Sequence, residues 1–333
     1  MKNMIRIILA VIIGVFLLTD VCVAPLSAAT KDAGQSARYL RMGVGARALG
    51  MGGAYVAVAD DASACYWNPA GLVQLKNKEI QAMYSLLSMD RKYNFLNYAQ
   101  PMKSKDSNAG RCFGVSVINF GVGDIRETES PEKSNISRFD DKENALIISY
   151  AGDMENDLLL GGNLKYITQE MNPSKGKQGA HGISVDMGML WKPKKDISIG
   201  LILQDVGGSL KWDTGHKDSL PVVIKAGTAY RLMDDRLLLA LDIEKVAHNN
   251  KSRLHLGGEY SLNKNISLRL GVVSAYDTFP TAGLSLKAPL LLFSTQTFCV
   301  DYAFAQDTFS DFDGENGFDG SKYNHRVSVA IGF

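Results

Sequence analysis

The stretch His181–Trp191, "HGISVDMGMLW", decides the fold. In extended chain, Ile183, Val185, Met187, Met189 and Trp191 fall on one side, and Ser184, Asp186 and Gly188 on the other. Successive side chains of a strand point opposite ways, so a period of two means a strand with one apolar and one polar face. The pattern recurs along the chain. Leu254, Leu256 and Tyr260 oppose Arg253, His255 and Glu259, and Ile266, Leu268, Leu270 and Val272 oppose Ser267, Arg269 and Gly271. Val327, Val329, Ile331 and Phe333 oppose Arg326, Ser328, Ala330 and Gly332. Such segments begin near Glu79, Arg91, Gly110, Glu143, Leu158, His181, Ile197, Leu220, Arg236, Arg253, Ile266, Phe279, Thr297 and Asn324. They number about fourteen and run about ten residues each. No helical period crosses this region, so the class is all-β.

Three features turn an all-β chain into a transmembrane antiparallel up-and-down β-barrel rather than a soluble sandwich. The connections sort by length. Tight turns at "DMEND", "KPKKD", "MDD" and "NKN" alternate with long links such as Gly121 to Asn144 and Gln306 to Tyr323. Short turns at one rim and long loops at the other are the habit of outer-membrane barrels. The polar face carries Asp186, Lys225, Asp242, Glu244, Arg253, Glu259, Arg269, Asp301 and Arg326. A dry core could not hold such charges unless paired, whereas a lumen supplies water, partners, or both. Aromatics stand at strand ends, as with Trp191 and Tyr230, where an interfacial girdle belongs. The terminal Phe333 closes an alternating strand, the kind of ending that barrel-assembly machinery reads.

The front of the chain reads as a secretory signal peptide. Lys2 and Arg6 precede an apolar run from Ile7 to Leu18, followed by the small-residue exit Ser27 to Ala29. The run is shorter than the roughly 20 residues a spanning helix needs. Asp20 and Val21 before Cys22 do not suit a lipoprotein anchor. Cleavage after Ala29 takes Lys2 and Arg6 from 36 bases and Asp20 from 35 acids, leaving 34 of each. Zero net charge argues against nucleic acid as a partner. Three cysteines then remain, Cys65, Cys112 and Cys299, which make neither a disulfide framework nor a zinc site. The expected division is a signal peptide over 1–29, an N-terminal plug over 30–78 and an outer-membrane barrel over 79–333.

Between leader and first strand lies "GVGARALGMGGAYVAVADDASACYWNPAGL", Gly43 to Leu72. A wide lumen leaks unless filled, and this segment is placed to fill it. Gly45, Gly50, Gly52 and Gly53 allow close packing and sharp turns. Asp60 or Asp61 is expected to cap a short helix through "ASACYW", with Pro69 and Gly71 stopping it. Gly43-x-Gly45-x-x-Ala48 also fits a loose dinucleotide fingerprint, but that motif needs a βαβ unit and here β-structure follows. The stretch from Gly45 to Gly53, the Asp60-Asp61 pair, and Asn68-Pro69-Ala70-Gly71-Leu72 resemble the N-terminal signature of PorV/PorQ-type outer-membrane proteins, relatives of the FadL long-chain fatty-acid transporters. The resemblance implies a fourteen-stranded barrel with an N-terminal hatch.

Other candidate sites carry less. Asp311, Asp313 and Glu315 have a calcium-loop spacing, but Asn316 stands where the turn glycine belongs, and an exposed acidic loop explains them better. Five histidines are scattered without metal spacing, and no Ser–His pairing marks a hydrolase. No cofactor and no catalytic residue is expected. Two roles fit: FadL-like passage of a hydrophobic small molecule, with Ile118, Ile147 and Ile202 as inward apolar pocket residues, or PorV-like surface docking of an exported protein in a type IX secretion system, with the Gly121 to Asn144 link as docking surface. The expected partners are outer-membrane lipid and either that small molecule or that protein.

Overall fold

The computed structural model describes residues 36–88, 90–102, 110–127, 137–173, 176–247, 252–274, 278–289, 296–307 and 323–333. The expected leader and the acidic stretch holding Asp311, Asp313 and Glu315 lie outside these residues. Fifteen strands follow the N-terminal segment: β1 (Glu79–Leu86), β2 (Arg91–Met102), β3 (Arg111–Glu127), β4 (Ser137–Asp153), β5 (Leu158–Met171), β6 (Gln178–Lys194), β7 (Ile197–Trp212), β8 (Lys217–Ser219), β9 (Val223–Leu232), β10 (Leu237–Val246), β11 (Ser252–Ser261), β12 (Ile266–Ser274), β13 (Thr278–Pro289), β14 (Thr297–Gln306) and β15 (Tyr323–Gly332). Each pairs antiparallel with its neighbour, β1 pairs with β15, and β7 joins β6 to β9. The three-residue β8 pairs only with β7, so the closed ring has fourteen strands.

Period-two alternation puts one set of residues in lipid and the other in the lumen. On the outside Leu96, Val117, Leu146, Tyr166 and Ile183 lie side by side across β2 to β6, all exposed. An exposed apolar surface this broad is an embrasure for hydrocarbon, because water would penalise it. One step up the strands the outer row turns polar: Asn94, Asn119, Asn144, Thr168, His181 and Lys211 are consecutive cross-strand partners. Asn119 Nδ2 donates to Asn144 Oδ1 at 2.7 Å within it. β3 to β7 continue beyond this row and stand as a tall wall, while β9 to β13 end lower.

The structure revises several boundaries. The Gly121 to Asn144 link is mostly strand: β3 runs to Glu127 and β4 begins at Ser137, paired across an irregularity between Val122 and Ile125. The segment expected from Leu220 starts at Val223, and β8 precedes it. Trp191 is covered, at 5 % exposure. It keeps the outward parity of Met187 and Met189, because the β6–β7 register shifts only beyond it, between Trp191 and Lys194. Tyr230 does face outward.

Residues 36–78 lie inside the ring and have little regular structure: 3₁₀ turns at Arg38–Arg41 and Pro69–Gln74, and single helical turns at Ala46–Gly50 and Ala64–Trp67. Wall and plug backbones meet where the wall has glycine. A Cβ on Gly271 would stand 2.3 Å from Gly52 N, one on Gly188 2.3 Å from Asn68 Oδ1, and one on Gly257 2.3 Å from Met51 O. Gly52 itself has φ +67, which only glycine adopts without strain. Gly271→Val is therefore expected to cost about 1–3 kcal/mol of plug seating by overpacking. Limited proteolysis should cut the plug of this variant faster than wild type, while the barrel keeps its heat-dependent gel mobility.

Candidate functional site

The plug backbone cannot join the strand ladders, so its polar groups depend on lumen-facing side chains. Asp242 Oδ2 accepts the amides of Tyr55 and Val56 at 2.7 and 2.8 Å. Ser328 Oγ accepts from Ala46 N at 2.8 Å, and Glu79 Oε1 from Ala62 N at 3.0 Å. Asn97, Asn163 and Gln204 donate to the carbonyls of Ala62, Cys65 and Tyr66 at 2.5, 2.7 and 3.0 Å. Thr281 Oγ1 donates to Gly50 O at 3.1 Å, and His255 Nδ1 lies 2.7 Å from Gly52 O. Side chains from strands all around the ring thus hold one irregular segment.

Within the plug, Asp61 Oδ1 accepts from Ser63 N and Ser63 Oγ ahead of the Ala64–Trp67 turn, but Ser63 rather than either aspartate is the N-cap, and it makes no side-chain capping bond. Asp60 is directed elsewhere, to the arginines described below. Asn68, not Pro69 or Gly71, ends the turn, and its Oδ1 accepts from Ala70 N to start the next one. Pro69 opens that 3₁₀ turn and Gly71 lies inside it, where a Cβ would stand 2.0 Å from Ala59 O. Asn68 Nδ2 also ties Val56 O to Met189 O of the wall, each at 2.9 Å. Cys65 is fully buried, and burial pushes its thiol up to about 12, partly offset by bonds from Ser116 and Asn97. It is therefore a packed thiol, not a nucleophile.

The charges expected in the lumen all face inward, and most are buried in opposed pairs. Arg47 of the plug reaches Glu259 through Nε and Nη2, both at 2.9 Å, and Asp60 through Nη1 at 2.5 Å. Asp60 Oδ2 takes a second cation, Arg231, at 2.8 Å. Glu259 continues to Arg269 at 2.5 Å, and Arg269 to Asp301 at 2.9 Å and to Ser285. Lys225 and Arg253 meet Glu244 at 2.9 and 3.4 Å, and Lys165 meets Asp186 and Asp205, both at 2.9 Å. Asp242 instead accepts the two plug amides, and Arg326 has no carboxylate within ion-pair distance among the described residues. Sequence reasoning missed Arg47, yet it is the one charged residue between Met42 and Ala59. It missed Asn97, Asn163, Lys165 and Gln204 as well, though their parity with inward neighbours marks them.

Ile118 and Ile147 are fully buried in a cluster with Tyr39, Leu40, Tyr93, Phe120 and Ile167. Tyr39 stacks on Phe120 with ring centres 6.0 Å apart, so the chain's own Arg38–Arg41 turn fills the space the isoleucines line. Ile202 is buried too but stands outside this cluster. Beside it, a cavity of about 60 Å³ is bounded by Leu49, Trp67, Lys225, Arg253 and Val273. At the short-turn rim an open vestibule of about 560 Å³ lies under Asp60 and is lined by Glu79, Lys192 and Arg231. Among the described residues no group of His, Cys, Asp and Glu is placed to hold a metal ion.

No family model and no curated protein matches this chain. Solved structures do. It is similar to the Pseudomonas putida toluene transporter TodX, with TM-score 0.60 and 12% identity over 87% of this chain and 97% of that one. The Ralstonia pickettii toluene transporter TbuX matches with TM-score 0.55 and 15% identity over 87% and 97% of the two chains. A Pseudomonas aeruginosa FadL homologue matches with TM-score 0.56 and 12% identity over 85% and 97%. At these identities the likeness fixes the fold, a closed barrel of the FadL type.

Two outcomes follow for the anchor. Breaking a buried ion pair by removing one partner costs about 3–5 kcal/mol, so Arg47→Ala should raise amide exchange across Gly45 to Asp61 while the strand amides stay protected. Acid should loosen the same contact. Burial pushes the Asp60 carboxyl up, but Arg47 and Arg231 more than offset this and hold it below its usual range. The folded form therefore binds its proton more weakly than the unfolded form, and the contribution to stability is complete above the ordinary value of 3.8 and fades as pH falls below it. Plug exchange rates measured between neutral pH and pH 2 should rise at the acid end, and Asp60→Asn should remove that component.

Proposed function

We propose that this chain is an outer-membrane channel for hydrophobic small molecules, gated by its N-terminal plug. The observation that carries the reading is the apolar group of Ile118, Ile147, Ile167 and Phe120 on the lumen wall, part of the buried core and bordered by Glu143, the cross-strand partner of Phe120, and by Arg326 over Tyr93. A general porin keeps a polar, water-filled lumen, whereas a surface of this kind favours apolar solutes. The fold supports it, since TodX and TbuX are toluene transporters with the same architecture. In this reading the solute displaces the Arg38–Arg41 turn from the cluster, and the plug shifts to let it pass. Among the lumen charges Asp242 and Glu259 bond the plug directly and Lys225 lies over Trp67, while Asp186, Arg253, Arg269 and Asp301 pair within the wall, and the glycine contacts at Gly50, Gly52 and Gly53 let the plug sit close to the wall. Surface docking of an exported protein has no matching observation, because the stretch assigned to it is mostly paired strand.

The test is uptake of labelled toluene, and of a labelled long-chain alkanoate, by cells of a host without a hydrophobe channel of its own. Cells making the wild-type protein should take up at least one of them faster than the host alone. A carboxylate buried in the cluster would cost several kcal/mol, so Ile118→Asp and Ile147→Asp should each reduce the gain by at least about tenfold. Equal uptake with and without the protein, for a folded barrel, overturns the reading.

A further inference from the structure

Arg326 breaks the rule the other buried lumen cations keep. Arg47, Arg91, Lys165, Lys225 and Arg269 each lie within ion-pair distance of a carboxylate. Arg326 is equally buried, with 0 % exposure, and has no carboxylate at that distance among the described residues. Its Nε donates to Asn324 Oδ1 at 2.9 Å and its Nη1 to the Gly43 carbonyl at 3.3 Å. Its Nη2 has no acceptor. The nearby Asp307 is held by Arg91, at 2.5 and 3.2 Å, and attracts Arg326 only from beyond ion-pair distance.

The neighbours of Arg326 share the deficit. Ser85 of β1 is the direct cross-strand partner of both Arg326 and Tyr93, and all three side chains point into the lumen, within about 5 Å of one another at Cβ from strand to strand. The Arg326 guanidinium lies 5.3 Å from the Tyr93 ring centre. Ser85 Oγ, Tyr93 OH and Asn324 Nδ2 are buried and lack hydrogen-bond partners, as Arg326 Nη2 does. Four buried groups able to donate thus lie on neighbouring lumen positions without an acceptor, around a positive charge that no described carboxylate pairs directly. Buried polar groups in native proteins are almost always satisfied. Water could take the protons, but it cannot neutralise the charge.

We propose that Arg326, Tyr93, Ser85 and Asn324 form a binding site for a small monovalent anion of halide size. The anion takes the Nη2 proton of Arg326 and the two hydroxyl protons, and neutralises the guanidinium that grips Gly43 at the start of the plug. It is a structural ion that fastens the plug to β15, β1 and β2. This site is independent of the proposed transport function, and either can fail without the other.

Halide dependence tests it. The purified barrel is exchanged into gluconate, an anion too large for the patch, and titrated with chloride or bromide at fixed ionic strength while its thermal midpoint is followed. The wild-type midpoint should rise saturably. Tyr93→Phe keeps the ring and loses one donor to the ion, so half-saturation should need about tenfold more halide. Arg326→Met should not respond, and without halide it should be at least as stable as wild type, because an uncompensated buried charge has gone. Bromide-soaked crystals should show an anomalous peak beside Arg326 Nη2. A flat wild-type response, or a response that Tyr93→Phe and Arg326→Met both retain in full, would overturn the proposal.

Discussion

Everything in this molecule follows from the need to seat an irregular chain inside a closed sheet. The strands satisfy one another around the ring, which leaves no free ladder edge for the plug. Each plug amide and carbonyl removed from water must therefore find a side chain, or lose free energy comparable to a lost hydrogen bond. Short polar residues at lumen positions (Asn97, Asn163, Gln204, Asp242, Thr281 and Ser328) provide those partners. Glycines in the wall let the two backbones approach closely enough for such short side chains to reach.

Charge is distributed by the same logic. A salt bridge exposed to water contributes little, whereas a buried one fixes geometry because breaking it strands a charge. The run from Arg231 through Asp60, Arg47, Glu259 and Arg269 to Asp301 alternates in sign and connects four strands to the plug near the short-turn rim.

Much of the barrel was legible because alternation is a local property. Glu79, Arg91, Leu158, Ile197, Ile266 and Thr297 begin strands where the pattern placed them. The inward direction of Ile118, Ile147 and Ile202 followed from parity alone. Errors came where a strand leaves the membrane and its alternation becomes polar on both faces, as from Ser137 to Asn144. The plug was recognised by its small residues, but its partners were not, since contacts such as Arg47 to Glu259 join positions far apart in the chain. Asp60 shows the difficulty. In sequence it reads as a helix cap, and only tertiary structure brings Arg47 and Arg231 to it.

The pairing of β1 with β15 sets an order of events in synthesis and assembly. Glu79 and Gly332 are direct partners although 332 − 79 = 253 residues separate them, so closure of the ring waits for the last strand. Plug residues depend on that strand as well, since Ala46 bonds Ser328. The plug is made first and secured last. Until β15 arrives it is a soluble-looking strand of small residues with none of its hydrogen bonds in place, and the entropy of closing so long a loop falls due in a single step. Contacts of such sequence separation make folding slow, and they make the final seam, rather than any early hairpin, the step at which barrel and plug commit to each other.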